Sequence, residues 1–245
     1  MLARIRIVLV RTFHAGNIGS AARSMKTMGL SDLCLVNPKD FPSADANKMA
    51  AGAQDMLENL SIVDSLQEAI KDCTTIIAST ARPRGYDLPE LLPEEAASLL
   101  VNGAQRSPVA LIFGPERMGL HNNDIQLAKY RVTIPANPQY NSLNMAAAVQ
   151  TLSYEIFKAA NAIDATNNYS NNLNQPQRHD RELPTSDDIE RLHLHLEQVL
   201  TKIKFLRSHQ GETLLRLRHL LNRAEIDQGE LNIIRGILSA IEKCH

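Results

Sequence analysis

The sequence predicts an α/β fold, a parallel sheet covered by helices on both faces, followed by a small all-α unit. Over the first two-thirds of the chain, short β-rich apolar runs alternate with segments of helical spacing, the pattern of strands joined by crossover helices. The runs are nearly continuously apolar, as expected of strands buried on both faces. Beyond about residue 185 only helical patterning remains.

Taken in order, Ile5–Val10 is the first strand run, and Asn17–Met28 follows with helical spacing and stops at Gly29. Leu33–Val36 is a second run, broken by Asn37-Pro38. Ser61–Val63, Thr74–Ala78, Val109–Phe113 and Arg131–Ile134 are further strands. Between them, helices are predicted at Ala46–Ala51, Ser65–Lys71 and Pro93–Leu100. Ser142 reads as the N-cap of a long helix reaching about Ala162. From Asp164 to Thr185, five asparagines (Asn167, Asn168, Asn171, Asn172, Asn174) with Pro176 and Pro184 show no apolar periodicity and read as a linker. The expected organisation is residues 1–162 as the α/β domain, 163–185 as linker and 186–245 as the helical domain. The latter opens at Ser186-Asp187-Asp188, with acids suited to a helix N-terminus. Leu192, Leu196, Val199, Leu200 and Ile203 fall on one face, and Glu212–Asn222 and Gln228–Glu242 supply two more helices.

Composition narrows the class. Of 245 residues, 44% are apolar and 22% charged, which excludes a wholly disordered chain, a collagen or a coiled-coil rod. Cys34, Cys73 and Cys244 are widely spaced and include no Cys-x-x-Cys pair, against a disulfide framework or a cysteine-rich zinc site. The N-terminal apolar run is too short for a signal core, and no stretch approaches a membrane span. The expectation is a soluble cytoplasmic protein. Net charge is −1, yet two segments are basic. Arg4, Arg6, Arg11, Arg23 and Lys26 lie in the first 31 residues without an acid. Lys202, Lys204, Arg207, Arg216, Arg218 and Arg223 face the single acid Glu212 between Thr201 and Arg223. They suggest an anionic partner met locally; the competing reading is solvated faces balanced by acids elsewhere in the fold.

Three segments carry the chemistry-bearing residues. His14 to Arg23 lies at the first strand-to-helix turn and contains Gly16, Asn17 and Gly19. Such a turn aims backbone N–H groups at an anion, although the two glycines also suit turn geometry alone. The dinucleotide fingerprint and the phosphate loop are both absent. Leu111 to Leu120 ends a buried strand in Gly114-Pro115 and follows at once with Glu116, outside the carboxyl end of a strand where α/β ligands bind. A loop acid paired with Arg117 is the plainer alternative. Ile134 to Ala146 combines a strand end, a proline-stiffened loop and Ser142-Leu143-Asn144 before a helix.

Together and in this order, these segments resemble the three signature motifs of the SPOUT superfamily of S-adenosylmethionine-dependent RNA methyltransferases, in its TrmH-like ribose 2′-O-methyltransferase branch. The resemblance covers residues 1 to about 162. Pro115 departs from members with arginine after this glycine. The resemblance implies a trefoil knot in the C-terminal part of the α/β domain, a homodimer, and S-adenosylmethionine held by loop backbone at Ser79, Thr80, Ala81, Gly114, Glu116, Gly119, Ile134, Ser142, Leu143 and Asn144. It further implies Arg23 as the residue activating the 2′-hydroxyl, Asn17 and Ser142 positioning ribose or arginine, and Glu116 and Asn144 holding loops and donor in register.

A longer likeness, through Val10 to Arg23 and Glu230 to Leu238, implies tRNA as partner and the ribose of cytidine or uridine at nucleotide 32 of the anticodon loop as target. The basic residues Lys202, Lys204, Arg207, Arg216, Arg218 and Arg223, with Arg23, are candidate RNA contacts. No metal is expected. Two alternatives stay open: a methyltransferase of the same superfamily acting on a base or another RNA, and a noncatalytic RNA-binding member.

Overall fold

In the computed structural model, residues 1–81, 88–170, 182–206 and 211–244 are described. The chain divides into two compact units, Met1–Asn174 and Gln175–His245. In the first, the elements run β1 (Ile5–Val10), α1 (Ala15–Thr27), β2 (Asp32–Val36), α2 (Ala44–Ala50), α3 (Gln54–Glu58), β3 (Ser61–Val63), α4 (Leu66–Ile70), β4 (Thr75–Ser79), β5 (Glu90–Leu91), α5 (Pro93–Ala104), β6 (Val109–Phe113), α6 (Asn122–Ile125), β7 (Tyr130–Val132) and α7 (Met145–Ser170).

Among the described residues the strands form one sheet in the order β3-β2-β1-β6-β4-β7-β5, and every pairing is parallel. The apolar runs make sense on this frame. Ile5, Ile7 and Leu9 of β1 and Leu111 of β6 point to one face, packed with Ile18, Ala22 and Met25 of α1, Leu100 of α5 and Val149 and Leu152 of α7. Val8, Val10, Ala110 and Ile112 point to the other, packed with Leu66 and Ile70 of α4. Both faces of these central strands are therefore largely dry, which is why apolar residues dominate them; the exception is Arg6 of β1, half-buried and paired with Asp32 and Asp72. The chain order reverses direction between β1 and β6, a topological switch point, where the carboxyl-end loops of neighbouring strands diverge and leave a crevice.

Several boundaries differ from expectation. α1 begins at Ala15, so Gly16 and Gly19 lie inside the helix rather than in the turn. Gly19 serves close packing: a Cβ there would stand 2.0 Å from the Ala46 carbonyl oxygen of α2. Ser142 does not cap α7. The Asn144 side chain does, its Oδ1 accepting from the backbone N–H of Ala146 at 2.8 Å and Ala147 at 3.4 Å. α7 continues to Ser170, past the expected end near Ala162; with no Gly or Pro before Pro176, nothing in the asparagines stops a helix already propagating. β5 is only two residues long and gave no sequence signal.

The second unit contains α8 (Ser186–Lys202), α9 (Gly211–Ala224) and α10 (Gln228–Cys244). Thr185, rather than Ser186, caps α8. Its hydroxyl accepts from Asp188 N–H at 3.2 Å while the Asp188 carboxylate accepts from Thr185 N–H at 3.1 Å, a reciprocal capping box. Asp227 and Glu230 repeat the device at α10. Leu192 and Val199 of α8 form the small core with Ile226, Leu231 and Leu238. Arg218 of α9 grips Glu190 of α8 through two bonds, at 2.7 and 3.0 Å. Among the described residues no helix is long and apolar enough to cross a membrane.

Candidate active site

The site forms where the loops after β1 and β6 meet. The turn after β1 presents the backbone N–H groups of Phe13 and His14, followed by Asn17 in the first turn of α1. All three donate to one carboxylate: Phe13 N to Glu116 Oε2 at 3.0 Å, His14 N and Asn17 Nδ2 to Oε1 at 3.2 and 2.7 Å. Glu116 is thus an anion seated at the start of α1, where the helix dipole and free N–H groups favour it. Burial pushes its carboxyl up, but the bonds from Asn17 and from the backbone outweigh burial and hold it below the ordinary glutamate range. The expected alternative, pairing with Arg117, is not what Glu116 does.

The network continues. Asn17 Oδ1 accepts from Asn144 Nδ2 at 3.1 Å, and Asn144 Oδ1 caps α7. Each amide's orientation is forced: a carboxylate only accepts and helix N–H groups only donate, so both asparagines must turn the same way. One relay therefore joins β6, the start of α1 and the start of α7. A second tie holds the same region, an ion pair between Arg11 at the end of β1 and Asp124 of α6.

Beside the relay lies a cleft of about 810 Å³, part of it open to solvent, walled by the loops after β4, β6 and β7. Ser79, Thr80, Ala81, Gly114, Glu116, Gly119, Ile134, Ser142 and Leu143, all singled out from sequence, line it; Asn144 does not. Phe113, Pro115, Arg117, Met118, Asn141, Met145 and Ala148 also line it and were not foreseen individually. Their one sequence signal is adjacency to the motif residues. The β4 and β7 loops are stitched together by Thr80 N–H to Val132 O at 3.1 Å and Thr133 Oγ1 to Thr80 O at 3.2 Å. Gly114 permits the tightest feature: a Cβ there would stand 2.2 Å from Leu120 N and 2.4 Å from Gly119 C. The loop returns on itself, with Gly119 at φ +64° and its N–H donating to Pro115 O at 2.8 Å.

Arg23 stands apart from the cleft lining, exposed on α1. Its environment is nonetheless distinctive. Arg4 donates to the Gln105 carbonyl, Arg6 pairs with Asp32 and Asp72, Arg11 with Asp124 and Lys26 with Asp55. Of the N-terminal basic segment, Arg23 alone keeps a guanidinium without a partner among the described residues.

The second basic segment divides similarly. Lys202 donates to the Glu242 carbonyl at 2.8 Å, Arg216 pairs with Glu212, and Arg218 is committed to Glu190. Lys204 and Arg223 are exposed. Arg207 lies outside the described residues.

This architecture defines a class. The SpoU rRNA Methylase family model matches residues 4–154, and the chain belongs to that family. A second model, the C-terminal domain of the tRNA methyltransferase TrmJ, matches residues 187–245. Over its whole length the chain is 46% identical to the tRNA (cytidine/uridine-2′-O-)-methyltransferase TrmJ of Pectobacterium atrosepticum, covering 100% of this chain and 99% of that one. The crystal structure of TrmJ from Z. mobilis ZM4 superposes with a TM-score of 0.82 at 33% identity, covering 97% of this chain and 98% of that one. The fold alone is shared with the SpoU methyltransferase AviRb of Streptomyces viridochromogenes, solved with the cofactor AdoMet, at TM-score 0.51 and 22% identity over 64% of this chain and 60% of that one.

Proposed function

We propose that the protein transfers a methyl group from S-adenosylmethionine to the ribose 2′-hydroxyl of cytidine or uridine at nucleotide 32 of the tRNA anticodon loop. The observation that carries this reading is the cleft beside the switch point, walled by the loops after β4, β6 and β7 and locked to the start of α1 through Glu116, Asn17 and Asn144. The full-length likeness to TrmJ supplies the substrate class.

The cleft suits this donor. S-adenosylmethionine has no phosphate, and the walls hold no phosphate loop. Main chain and small side chains at Ser79, Thr80, Ala81, Gly114 and Gly119 leave room for it, while Ile134, Leu143 and Met145 offer apolar surface to an adenine ring. A Cβ at Gly114 would open the returning loop that forms one wall. When bound, the donor supplies a methyl group made electrophilic by its sulfonium.

The protein's own residues prepare the acceptor. A ribose hydroxyl is a weak nucleophile and needs its developing oxyanion stabilised. Arg23 fills this role as a cation that orients the hydroxyl and lowers its effective pKa; a guanidinium with pKa above about 12 is unsuited to removing the proton itself. As the O–CH₃ bond forms and the S–CH₃ bond breaks, the hydroxyl proton departs to water or a phosphate oxygen. Ser142, exposed at the cleft, positions the ribose, and the Glu116–Asn17–Asn144 relay keeps the loops in register. Lys204 and Arg223 contribute salt-dependent contacts to the tRNA backbone.

The reading includes a trefoil knot and a homodimer. Tyr154 and Phe157, three residues apart on α7 and 49% and 37% exposed, give a second copy apolar surface to cover. The test is labelled methyl transfer from S-adenosylmethionine to unmodified tRNA, with nuclease digestion and mass analysis of the nucleosides. A 2′-O-methylated pyrimidine at nucleotide 32 is expected; methyl groups on a base instead would overturn the assignment.

A further inference from the structure

Phe13 is the odd residue at the switch point. Thr12 before it is buried, with 1% exposure, and Ala15 after it is buried at 6%, yet the Phe13 ring is 43% exposed. A single exposed apolar side chain needs no explanation by itself. Here, however, the backbone on both sides of the ring is pinned. On one side Phe13 N–H is bound to Glu116 Oε2 and the carbonyl of Thr12 accepts from Lys39 N–H at 3.1 Å, and on the other His14 N–H is bound to Glu116 Oε1 at 3.2 Å. The ring is also attended by two cations. Lys39 Nζ lies 3.6 Å from its centroid and Arg117 Cζ 5.9 Å from it. Neither cation has an acidic partner among the described residues, and Arg117 lines the cleft.

A fixed aromatic face with two uncommitted cations at the lip of a cleft has the chemistry of a nucleotide site. The π surface stacks a base of any identity, and the cations meet the phosphates on either side of it. We propose that Phe13 is a positioning residue for the RNA substrate, stacking a nucleobase next to the reacting nucleotide while Lys39 and Arg117 bind the adjoining backbone. In the free protein Lys39 covers the ring; an arriving phosphate offers that ammonium a full negative charge in place of a quadrupole, and the ring face is released to the base. The chain has no tryptophan and 4% aromatic residues, so the platform is one ring deep. It aligns the strand at the cleft and adds the stacking of one base to the affinity that other contacts supply.

This inference rests on the RNA-methyltransferase reading above. It is tested on the full-length protein with an unmodified tRNA transcript, measuring transcript affinity, KM and kcat, and separately the affinity for S-adenosylmethionine. Phe13→Ala should weaken transcript affinity and raise KM about ten-fold, with kcat at saturating RNA and donor affinity within about two-fold of the parent. Phe13→Tyr should restore both. Lys39→Gln should lower the slope of log affinity against log salt by about one. Transcript affinity unchanged in Phe13→Ala overturns the platform alone, and so does loss of donor affinity, which assigns the ring to the donor's adenosyl group. A parent protein that binds no tRNA overturns the functional reading, and the platform with it.

Discussion

Asn17 and Glu116, 99 residues apart in the chain, are joined at 2.7 Å by a bond from an amide to a carboxylate. That bond closes the switch point of the sheet, because each partner also holds the loop behind it: Glu116 the turn after β1, Asn17 the cap of α7 through Asn144.

Replacing Glu116 with Gln should therefore cost about 2 kcal/mol of stability at pH 7, the range for hydrogen bonds to an ionised group. Held below the ordinary range, the carboxyl binds protons more weakly in the fold than in the unfolded chain. Its stabilisation is complete above the unfolded value of about 4.3 and is lost as pH falls through the folded one. Thermal unfolding of parent and Glu116→Gln should show a gap at pH 7 that narrows as pH falls below about 4.

Gly19→Ala tests the close contact between α1 and α2. The added carbon meets the backbone of Ala46 and Ala50, not a flexible side chain, so α1 and α2 must separate. A loss of about 2 kcal/mol or more is expected in denaturant unfolding, despite the better helix propensity of alanine. A neutral result would mean α2 moves freely, and with it the wall of packing behind α1.

Arg23→Ala separates activity from folding. Because Arg23 is exposed and its guanidinium is unpaired among the described residues, the melting temperature should stay within about 1 °C of the parent. Methyl transfer should fall by about 10²- to 10³-fold in kcat, the usual effect of losing a group aimed at developing negative charge. Activity within a few-fold of the parent would remove Arg23 from the mechanism.

His193 of α8 carries a pH dependence of opposite origin. Burial, helped by the nearby Arg218, pushes its pKa from 6.5 down to about 4, and its Nε2 is buried without a partner among the described residues. The unfolded chain takes up that proton first. Stability is thus full above about pH 6.5 and declines as pH falls toward 4. His193→Leu should leave stability at pH 7 unchanged or higher and flatten this decline, as read by hydrogen exchange across α8.

The sheet was legible because buried strands write themselves as nearly continuous apolar runs, as in Ile5–Val10 with its single Arg6 and in Val109–Phe113; these two, and the more exposed Ser61–Val63, have the bounds the sequence predicts. Glu90–Leu91 was not, since two residues carry no period and pair only because β7 lies alongside. Nearly all the residues picked for the donor site line one cleft, because the motif loops follow strands whose carboxyl ends the fold must bring together. Hidden from the sequence was the division of labour among polar residues. Ser142 and Asn144 are both capable caps, and only the bond from Asn144 to Asn17 decides between them. Likewise, charge alone cannot tell Arg23 from Arg6 or Arg11; the acids that claim those two, Asp32, Asp72 and Asp124, arrive from distant segments.

The returning loop at Gly114 bears on how such a protein can diverge. A pocket wall made of main chain has no side chain to exchange, so drift in the gene leaves its shape alone unless the path of the loop itself changes. Selection for a new RNA target then has to work on the rim, at positions such as Phe13 and Lys39, where the residue can vary without disturbing the wall. Relatives with different targets should accordingly share the spacing around Gly114 and differ at these rim positions.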